Sequence, residues 1–168
     1  MTERRDNFHA YPLVVEAGGS RATLSYSREK LYFAVQGKIA ENINLPVKWK
    51  SREDAITVFE GEPWNLETAI APERLRPVYR LLPDGPMVIP TGMVFARFEE
   101  SLKAEERSSQ LAEAGYEIDT VPAYAPHCAW LKPADGQVSS GLARIATLRK
   151  VPGIVNVEPQ MLGPSAKR

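Results

Sequence analysis

The sequence predicts an α+β protein with a ferredoxin-like β-α-β-β-α-β domain at residues 87–162, a β-rich N-terminal subdomain at 1–82 and a C-terminal tail at 163–168. Two observations support this prediction. Apolar and polar residues alternate with strand-like and helix-like spacing in an ordered series in the second half. The cluster Pro83-Asp84-Gly85-Pro86 separates the halves, because it neither continues a helix nor pairs fully in a strand.

In the second half, the first strand alternates at residues 93–98, and Ser101 can cap the helix that follows it. That helix ends at Gly115, a residue that tolerates the left-handed geometry common at helix ends. A second helix starts at Ser139 or Ser140. The remaining strands are predicted at 116–121, 127–132 and 154–158. These patterns place eight residues in one core: Val94, Phe98, Leu111, Leu142, Ile145, Leu148, Val155 and Val157.

Residues 1–82 are predicted to be mostly strand, although the pattern does not give their topology. Four short runs have strand character, at 22–26, 31–35, 55–59 and 76–81. Only residues 66–75 have local helical character, and Pro72 interrupts it. If the proline cluster is a domain boundary, residues 87–168 should fold alone. The competing arrangement is a shared core, in which strands of the first half extend the sheet of the second.

Composition and charge narrow the function classes. Lys and Arg together number 21, as do Asp and Glu, so the chain lacks the positive excess typical of nucleic-acid binders. No apolar stretch is long enough to span a bilayer. The polar first residues lack the apolar run of a secretory signal, and Cys128 alone cannot form an intrachain disulfide. A cytoplasmic protein is expected, or an exported one if the sequence is an excised part of a precursor.

Four segments of the second half occur in a characteristic order. They are Val94-Phe95-Ala96-Arg97-Phe98, Leu111-Ala112-Glu113-Ala114-Gly115-Tyr116, Tyr124-Ala125-Pro126-His127-Cys128-Ala129-Trp130-Leu131, and the stretch 148–159 with the sequence LRKVPGIVNVEP. As an ordered set they resemble the propeptide and inhibitor family of the subtilisin-like serine proteases, over residues 90–162. The first half resembles the β-rich extension that precedes this module in some larger bacterial subtilases.

The resemblance implies a way of binding. The exposed face of the sheet would pack on two surface helices of the protease, and the C-terminal tail would enter the active-site cleft as a substrate-like strand. Pro159 fixes its own φ and lacks an amide donor, so the chain should leave the sheet at this residue in extended form. Ser165 and Ala166 would lie nearest the catalytic serine. A tail that packs into the core would exclude this substrate-like mechanism. The predicted protease-binding residues are Pro159, Gln160, Met161, Leu162, Gly163, Pro164, Ser165 and Ala166.

The sequence therefore predicts a non-catalytic protein-binding module without a cofactor, an inhibitor or folding chaperone of a subtilisin-like serine protease. It would act in trans, or as a prodomain fused to the protease, and neither nucleic acid nor membrane is an expected partner. The alternative is a regulatory or scaffold ferredoxin-like domain that binds another protein or a small ligand.

Other chemistries find less support in the residues. His127 and Cys128 suggest a Cys/His nucleophile, but adjacent strand residues point to opposite faces of a sheet. Metal-ligand spacing, a glycine-rich phosphate loop and a nucleophile elbow are all missing from the sequence. Phe95 and Trp130 resemble the base-stacking aromatics of RNA-binding sheets, but the basic motif of those sheets is lacking.

Overall fold

The computed structural model describes residues 8–19, 22–37, 43–51, 56–63 and 70–164. Within these ranges nine strands form, in the order β1 (Val14–Gly19), β2 (Thr23–Gln36), β3 (Val47–Lys50), β4 (Ile56–Glu60), β5 (Leu75–Leu81), β6 (Met87–Phe98), β7 (Tyr116–Thr120), β8 (Cys128–Pro133) and β9 (Ile154–Leu162). The α-helices are α1 (Ser108–Glu113), α2 (Val138–Ala143) and α3 (Ile145–Leu148), and short 3-10 turns lie at Pro72–Arg74 and Ala104–Arg107.

Five of the strands close into a β-barrel in the order β2-β1-β9-β6-β5, with β5 pairing back onto β2. The strands β4 and β3 continue the sheet beyond β2, while β8 and β7 continue it beyond β6. Strands account for 49% of the chain and helices for 17%. The fold is therefore mostly β, and the predicted α+β, ferredoxin-like fold class is wrong.

The correction has a physical cause in two strands that are longer than predicted. β6 starts at Met87, and its added residues pair with β5, with Val88 opposite Tyr79. β9 runs on to Leu162 and pairs with β1 as well as β6. In contrast, the helix predicted from Ser101 is only the 3-10 turn at Ala104–Arg107 followed by the six residues of α1. The pairings of β6 with β5 and of β9 with β1 join the two halves of the chain in one sheet and close the barrel.

The proline cluster forms the tight turn of the β5–β6 hairpin. The Gly85 amide donates a hydrogen bond to the Leu81 carbonyl at 2.7 Å, and Arg80 pairs with Met87 on the far side of the turn. The largest core cluster then unites both halves of the chain. Its buried members from the first half are Val15, Ala17, Tyr26 and Tyr79, and they pack with residues of β6, β8, β9 and the helices. The division at this turn remains a prediction, and the fragment experiment described below tests it.

Seven of the eight predicted core residues belong to that cluster: Val94, Phe98, Leu111, Leu142, Ile145, Leu148 and Val157. The eighth, Val155, is wrong, because 36% of its surface is exposed. Arg97 pairs with Asn156 and Phe98 pairs with Ile154, so one step along β6 is matched by two steps along β9. Val155 is the extra residue of this β-bulge, and a bulged residue loses the regular alternation of a strand.

The first half is rich in strands, as predicted. Its apolar residues form one further core cluster around Phe33 and Phe59. Another cluster, around Val58 and Val78, also includes Met87 and Ile89 of β6, and Trp49 packs against it. Of the helical character predicted at 66–75, the structure has only the 3-10 turn at Pro72–Arg74, and residues 64–69 lie outside the described part of the chain.

Helix α2 approaches β6 very closely at Gly141. A Cβ atom at this position would lie 2.2 Å from the backbone oxygen of Gly92. We expect Gly141→Ala to destabilise the fold by about 1–3 kcal/mol, because overpacking against a backbone outweighs the gain of about 1 kcal/mol in helix propensity. Urea denaturation measures the change. Ser139→Ala in the same helix is the control and should stay within about 0.5 kcal/mol of the wild type. Equal stability of Gly141→Ala and the wild type contradicts this packing.

Candidate docking face

The side chains of β6 point alternately to two faces of the sheet. Val94, Ala96 and Phe98 are fully buried in the largest core cluster. Because strand side chains alternate, Phe95 and Arg97 between them point to the opposite face. Phe95 is partly exposed and Arg97 is exposed.

The helices cover only the core side of these strands. All three helices place their buried leucine and isoleucine side chains in the same cluster as Val94, namely Leu111, Leu142, Ile145 and Leu148. Within the described ranges, no helix packs on the other side, and we call that side of β6, β8 and β9 the open face. It presents Phe95, Arg97, Trp130 and Glu158.

An aromatic pair occupies the middle of the open face. Phe95 pairs with Trp130 of β8 on one side and with Glu158 of β9 on the other, and Trp130 in turn pairs with Thr120 of β7. The rings of Phe95 and Trp130 lie 5.1 Å apart between centroids, at an interplanar angle of 60°. Such edge-to-face pairs are favourable and fix both rings. Together they form a partly exposed apolar patch with a carboxylate at its border.

A second row of the open face pairs Asn156, Arg97 and Cys128 across β9, β6 and β8. Arg97, Asn156 and Glu158 also line a groove of about 530 Å³ that extends towards Gly19 of β1. The Cys128 thiol is buried, and desolvation raises its pKa, although the nearby Arg97 charge opposes the shift. A raised pKa disfavours the thiolate, the form that acts as a nucleophile.

The predicted tail does not leave the sheet at Pro159, and that expectation is wrong. Pro159 pairs with Val94, Met161 pairs with Pro90, and Met161 packs against the main core. In the part of the chain that the structure describes, β1 pairs with β9 only at Asn156 and Val157. Beyond that point β6 is the one strand of the described residues that pairs with β9, and a strand with one free side tolerates a proline.

The other predicted tail residues lie within β9, directly after it, or outside the described residues. Gln160 is exposed, and its side-chain oxygen accepts a hydrogen bond from the Thr91 hydroxyl at 2.9 Å. Leu162 ends the strand opposite Ile89 and is 38% exposed. Gly163 and Pro164 follow the strand and are exposed, whereas Ser165 and Ala166 lie outside the described residues.

Another groove, of about 1010 Å³, lies between residues 8–11, 70–76 and 136–139. Its apolar lining includes Phe8 and Tyr11, and burial raises the pKa of Tyr11. The Arg76 guanidinium at the groove donates to the chain's own oxygens, including Gln36 Oε1 at 2.8 Å. Residues from both halves of the chain therefore line the groove. The Arg76 guanidinium is already hydrogen-bonded to oxygens of the protein itself.

Two further observations concern metals and membranes. Among the described residues, no group of three or more His, Cys, Asp or Glu side chains is placed to hold a metal ion. Within the same ranges, no helix has both the length and the apolar character needed to cross a bilayer.

Part of the open face could be read from the sequence. The alternation at 93–98 places Phe95 and Arg97 on the same side of β6, and Trp130 is an aromatic residue of the strand predicted at 127–132. The position of Glu158 beside Phe95 does not follow from the sequence, because it depends on the register between β9 and β6.

Comparison with known protein families, curated proteins and solved structures finds no match to this chain.

Proposed function

We propose that this chain is a non-catalytic protein-binding module whose open face docks on a subtilisin-like serine protease, which it inhibits or helps to fold. The observation that carries the proposal is the Phe95–Trp130 pair, an apolar patch at the centre of a sheet face that no described helix covers. The resemblance of residues 90–162 to subtilase propeptides and inhibitors supports the choice of partner.

The composition of the open face fits a protein partner. Partly exposed aromatic residues at the centre and charged residues at the border are typical of protein interfaces, and Trp and Arg are enriched among the residues that dominate binding energy. Here Trp130 and Phe95 form the centre, and Arg97 and Glu158 lie beside them.

The two ends of the sheet favour docking through the face rather than by strand addition. The end strand β3 has a register shift against β4 and exposed lysines at Lys48 and Lys50. The other end strand, β7, has a register shift against β8 and exposed acidic residues at Glu117 and Asp119. Charges and bulges on edge strands oppose pairing with another strand.

The proposed mode of action does not use residues 159–162 as a cleft-filling strand. Their pairing with β6 holds them within the sheet, so they are not free to enter an active site. A substrate-like segment would have to start at Gly163 or later. Inhibition or assisted folding is instead attributed to the docked face, which would stabilise the folded protease by binding it.

Variants of the open face test the proposal. We expect Trp130→Ala and Arg97→Glu each to weaken binding to a subtilisin-like protease at least about tenfold, or about 1.4 kcal/mol. Isothermal titration calorimetry against a panel of such proteases, inactivated with phenylmethanesulfonyl fluoride, measures the affinity. Circular dichroism checks that each variant is folded. If Trp130→Ala unfolds the chain, Arg97→Glu still tests the open face, because Arg97 is exposed.

The matched control is Lys48→Glu, an exposed charge reversal on β3 at the other end of the strand order. Its affinity for the protease should equal that of the wild type. Failure of the wild type to bind any protease of the panel contradicts the proposal, as does binding that neither face variant changes.

A regulatory or scaffold module that binds another protein or a small ligand is the second candidate. The groove of about 1010 Å³ between the two halves favours it, since ligand sites commonly lie in clefts of this size. Two results together would support this candidate. The protein would bind no protease of the panel, and its melting temperature would rise in the presence of a small molecule from a ligand library.

A further inference from the structure

Residues 8–12 precede β1 and lie outside the strands and helices, and we call this segment the strap. The strap begins with a turn, in which the Tyr11 amide donates a hydrogen bond to the Phe8 carbonyl at 2.9 Å. The pairs of β1 with its neighbours begin at Val14, so they do not include the strap. The strap can therefore leave its position without the loss of a barrel strand pair.

Side chains from two barrel strands hold the strap in place. The Arg28 guanidinium of β2 donates hydrogen bonds to the carbonyls of Phe8 and Tyr11, the second at 3.1 Å. The Tyr79 hydroxyl of β5 donates to the Pro12 carbonyl at 2.6 Å. A single hydrogen bond contributes modestly to stability, because its groups bond to water once they are exposed. These bonds fix the strap without the ladder of backbone pairs that holds a strand.

Two aromatic rings of the strap cover the junction of two core clusters. Phe8 is buried in the cluster around Phe33 and Phe59, and Tyr11 packs against that cluster and against the largest one. The rings of Phe8 and Tyr11 lie 6.0 Å apart between centroids, in an edge-to-face arrangement. Release of the strap uncovers few side chains compared with the whole core. Segments of this kind open at a lower free energy than global unfolding requires.

The strap also borders an open groove. Residues 8–11 form one wall of the groove of about 1010 Å³, and residues within 70–76 and 136–139 form the others. Release of the strap widens this groove and adds the apolar surface beneath Phe8 to its lining. A cleft of this size and character suits an apolar small molecule.

We propose that the strap detaches while the barrel stays folded, and that it thereby gates the access of an apolar small molecule to the groove. The inference goes beyond docking on a protease, because none of the described residues that line the groove belongs to the open face. A molecule that binds the detached form shifts the population towards that form.

Two matched substitutions test the detachment by amide exchange in the whole chain. Tyr79→Phe removes the hydrogen bond to Pro12 and keeps the buried ring. Tyr116→Phe is the control, because it removes a bond of the same kind, from a buried tyrosine hydroxyl to the Gly141 carbonyl at 2.8 Å, outside the strap. Both tyrosines belong to the largest core cluster.

Exchange at the Tyr11 amide distinguishes detachment from global unfolding. It should become at least about fivefold faster in Tyr79→Phe and stay unchanged in Tyr116→Phe, because only the first bond is broken when the strap detaches. The slowest amides of β6, which exchange by global unfolding, should become faster in both variants. Faster exchange at Tyr11 in both variants overturns the proposal, because the strap then opens only with the barrel. Unchanged exchange in both overturns it too, because the turn then fluctuates alone.

The wild type gives a second measurement, which decides the question if Tyr79→Phe does not fold. Exchange at Tyr11 should hardly depend on urea well below the unfolding midpoint, because detachment exposes little surface. A urea dependence as steep as that of the slowest β6 amides contradicts detachment.

Anilinonaphthalene sulfonate, a largely apolar fluorescent probe, tests the gate. Its apparent affinity should be about fivefold higher for Tyr79→Phe than for the wild type or Tyr116→Phe, in proportion to the population of the detached form. Chemical-shift changes at Ile70 and Val138 would show that the probe occupies the groove. Equal affinity for the three proteins, or binding away from these residues, overturns the gate.

Discussion

Residues 87–168 produced alone should show no protected amides in hydrogen-exchange experiments. This complete loss of the folded state is the largest effect on stability that we expect. The fragment lacks three of the five barrel strands, namely β1, β2 and β5. Its β6 loses the pairing of Val88 with Tyr79, and its β9 loses the pairing of Val157 with Gly18. Exposing these strand edges and the core should cost more free energy than the remaining contacts contribute, because domains are only marginally stable.

The apolar surface that the fragment exposes supports this expectation. Tyr79 is fully buried in the main core, and its hydroxyl donates to the Pro12 carbonyl at 2.6 Å. Met87 and Ile89 of β6 are buried against Val78 of β5. Each buried side chain of this size contributes about 1.5–3 kcal/mol relative to an exposed one, so the loss of several such contacts exceeds the stability of a typical domain.

Two controls make the fragment experiment decisive. A glycine-serine insertion between Asp84 and Gly85 in the whole chain keeps every strand pair and lengthens only the β5–β6 turn. It should cost little, because the free energy of loop closure grows slowly with length. Mixing fragments 1–86 and 87–168 should restore protected amides. Slow exchange in the isolated second fragment would contradict the shared core and support a domain boundary at Pro83–Pro86.

The strands and most core positions could be predicted because they depend on local alternation. The pattern at 93–98 determines which side chains of β6 face the helices, whatever β6 pairs with. Barrel closure could not be predicted in the same way, because it depends on which distant strands meet. Nothing in the sequence near Met87 shows that β5 will be its neighbour, and a proline-rich turn fits a hairpin as well as a domain boundary.

The candidate site could likewise be predicted only where it depends on local sequence, and not where it depends on strand pairing. Phe95 and Trp130 could be recognised as strand aromatics, whereas their contact at 5.1 Å follows from the β6–β8 register. Pro159 was expected to end the sheet because proline lacks an amide donor. That reasoning holds for a strand with two neighbours, but of the described strands only β6 pairs with β9 at this point.

Leu148→Ala should destabilise the whole chain by about 2–5 kcal/mol, the range for removing a leucine from a well-packed core. Leu148 has no exposed surface and lies in the cluster that contains residues of both halves. The helix that carries it, α3, has four residues and no side-chain cap, so it is far too short to be stable alone. Its order depends on the burial of Ile145 and Leu148.

The effect of Leu148→Ala should therefore spread beyond the cavity that it creates. Because α3 packs against β1, its loosening weakens the barrel strand of the first half as well. Urea denaturation should show one transition at a lower midpoint with an unchanged slope, since a change in stability alone leaves the slope unaffected. Thr147→Ala, an exposed neighbour in α3, should stay within about 0.5 kcal/mol of the wild type. A loss below about 1 kcal/mol for Leu148→Ala, equal to that of Thr147→Ala, would mean that α3 is not held by the shared core.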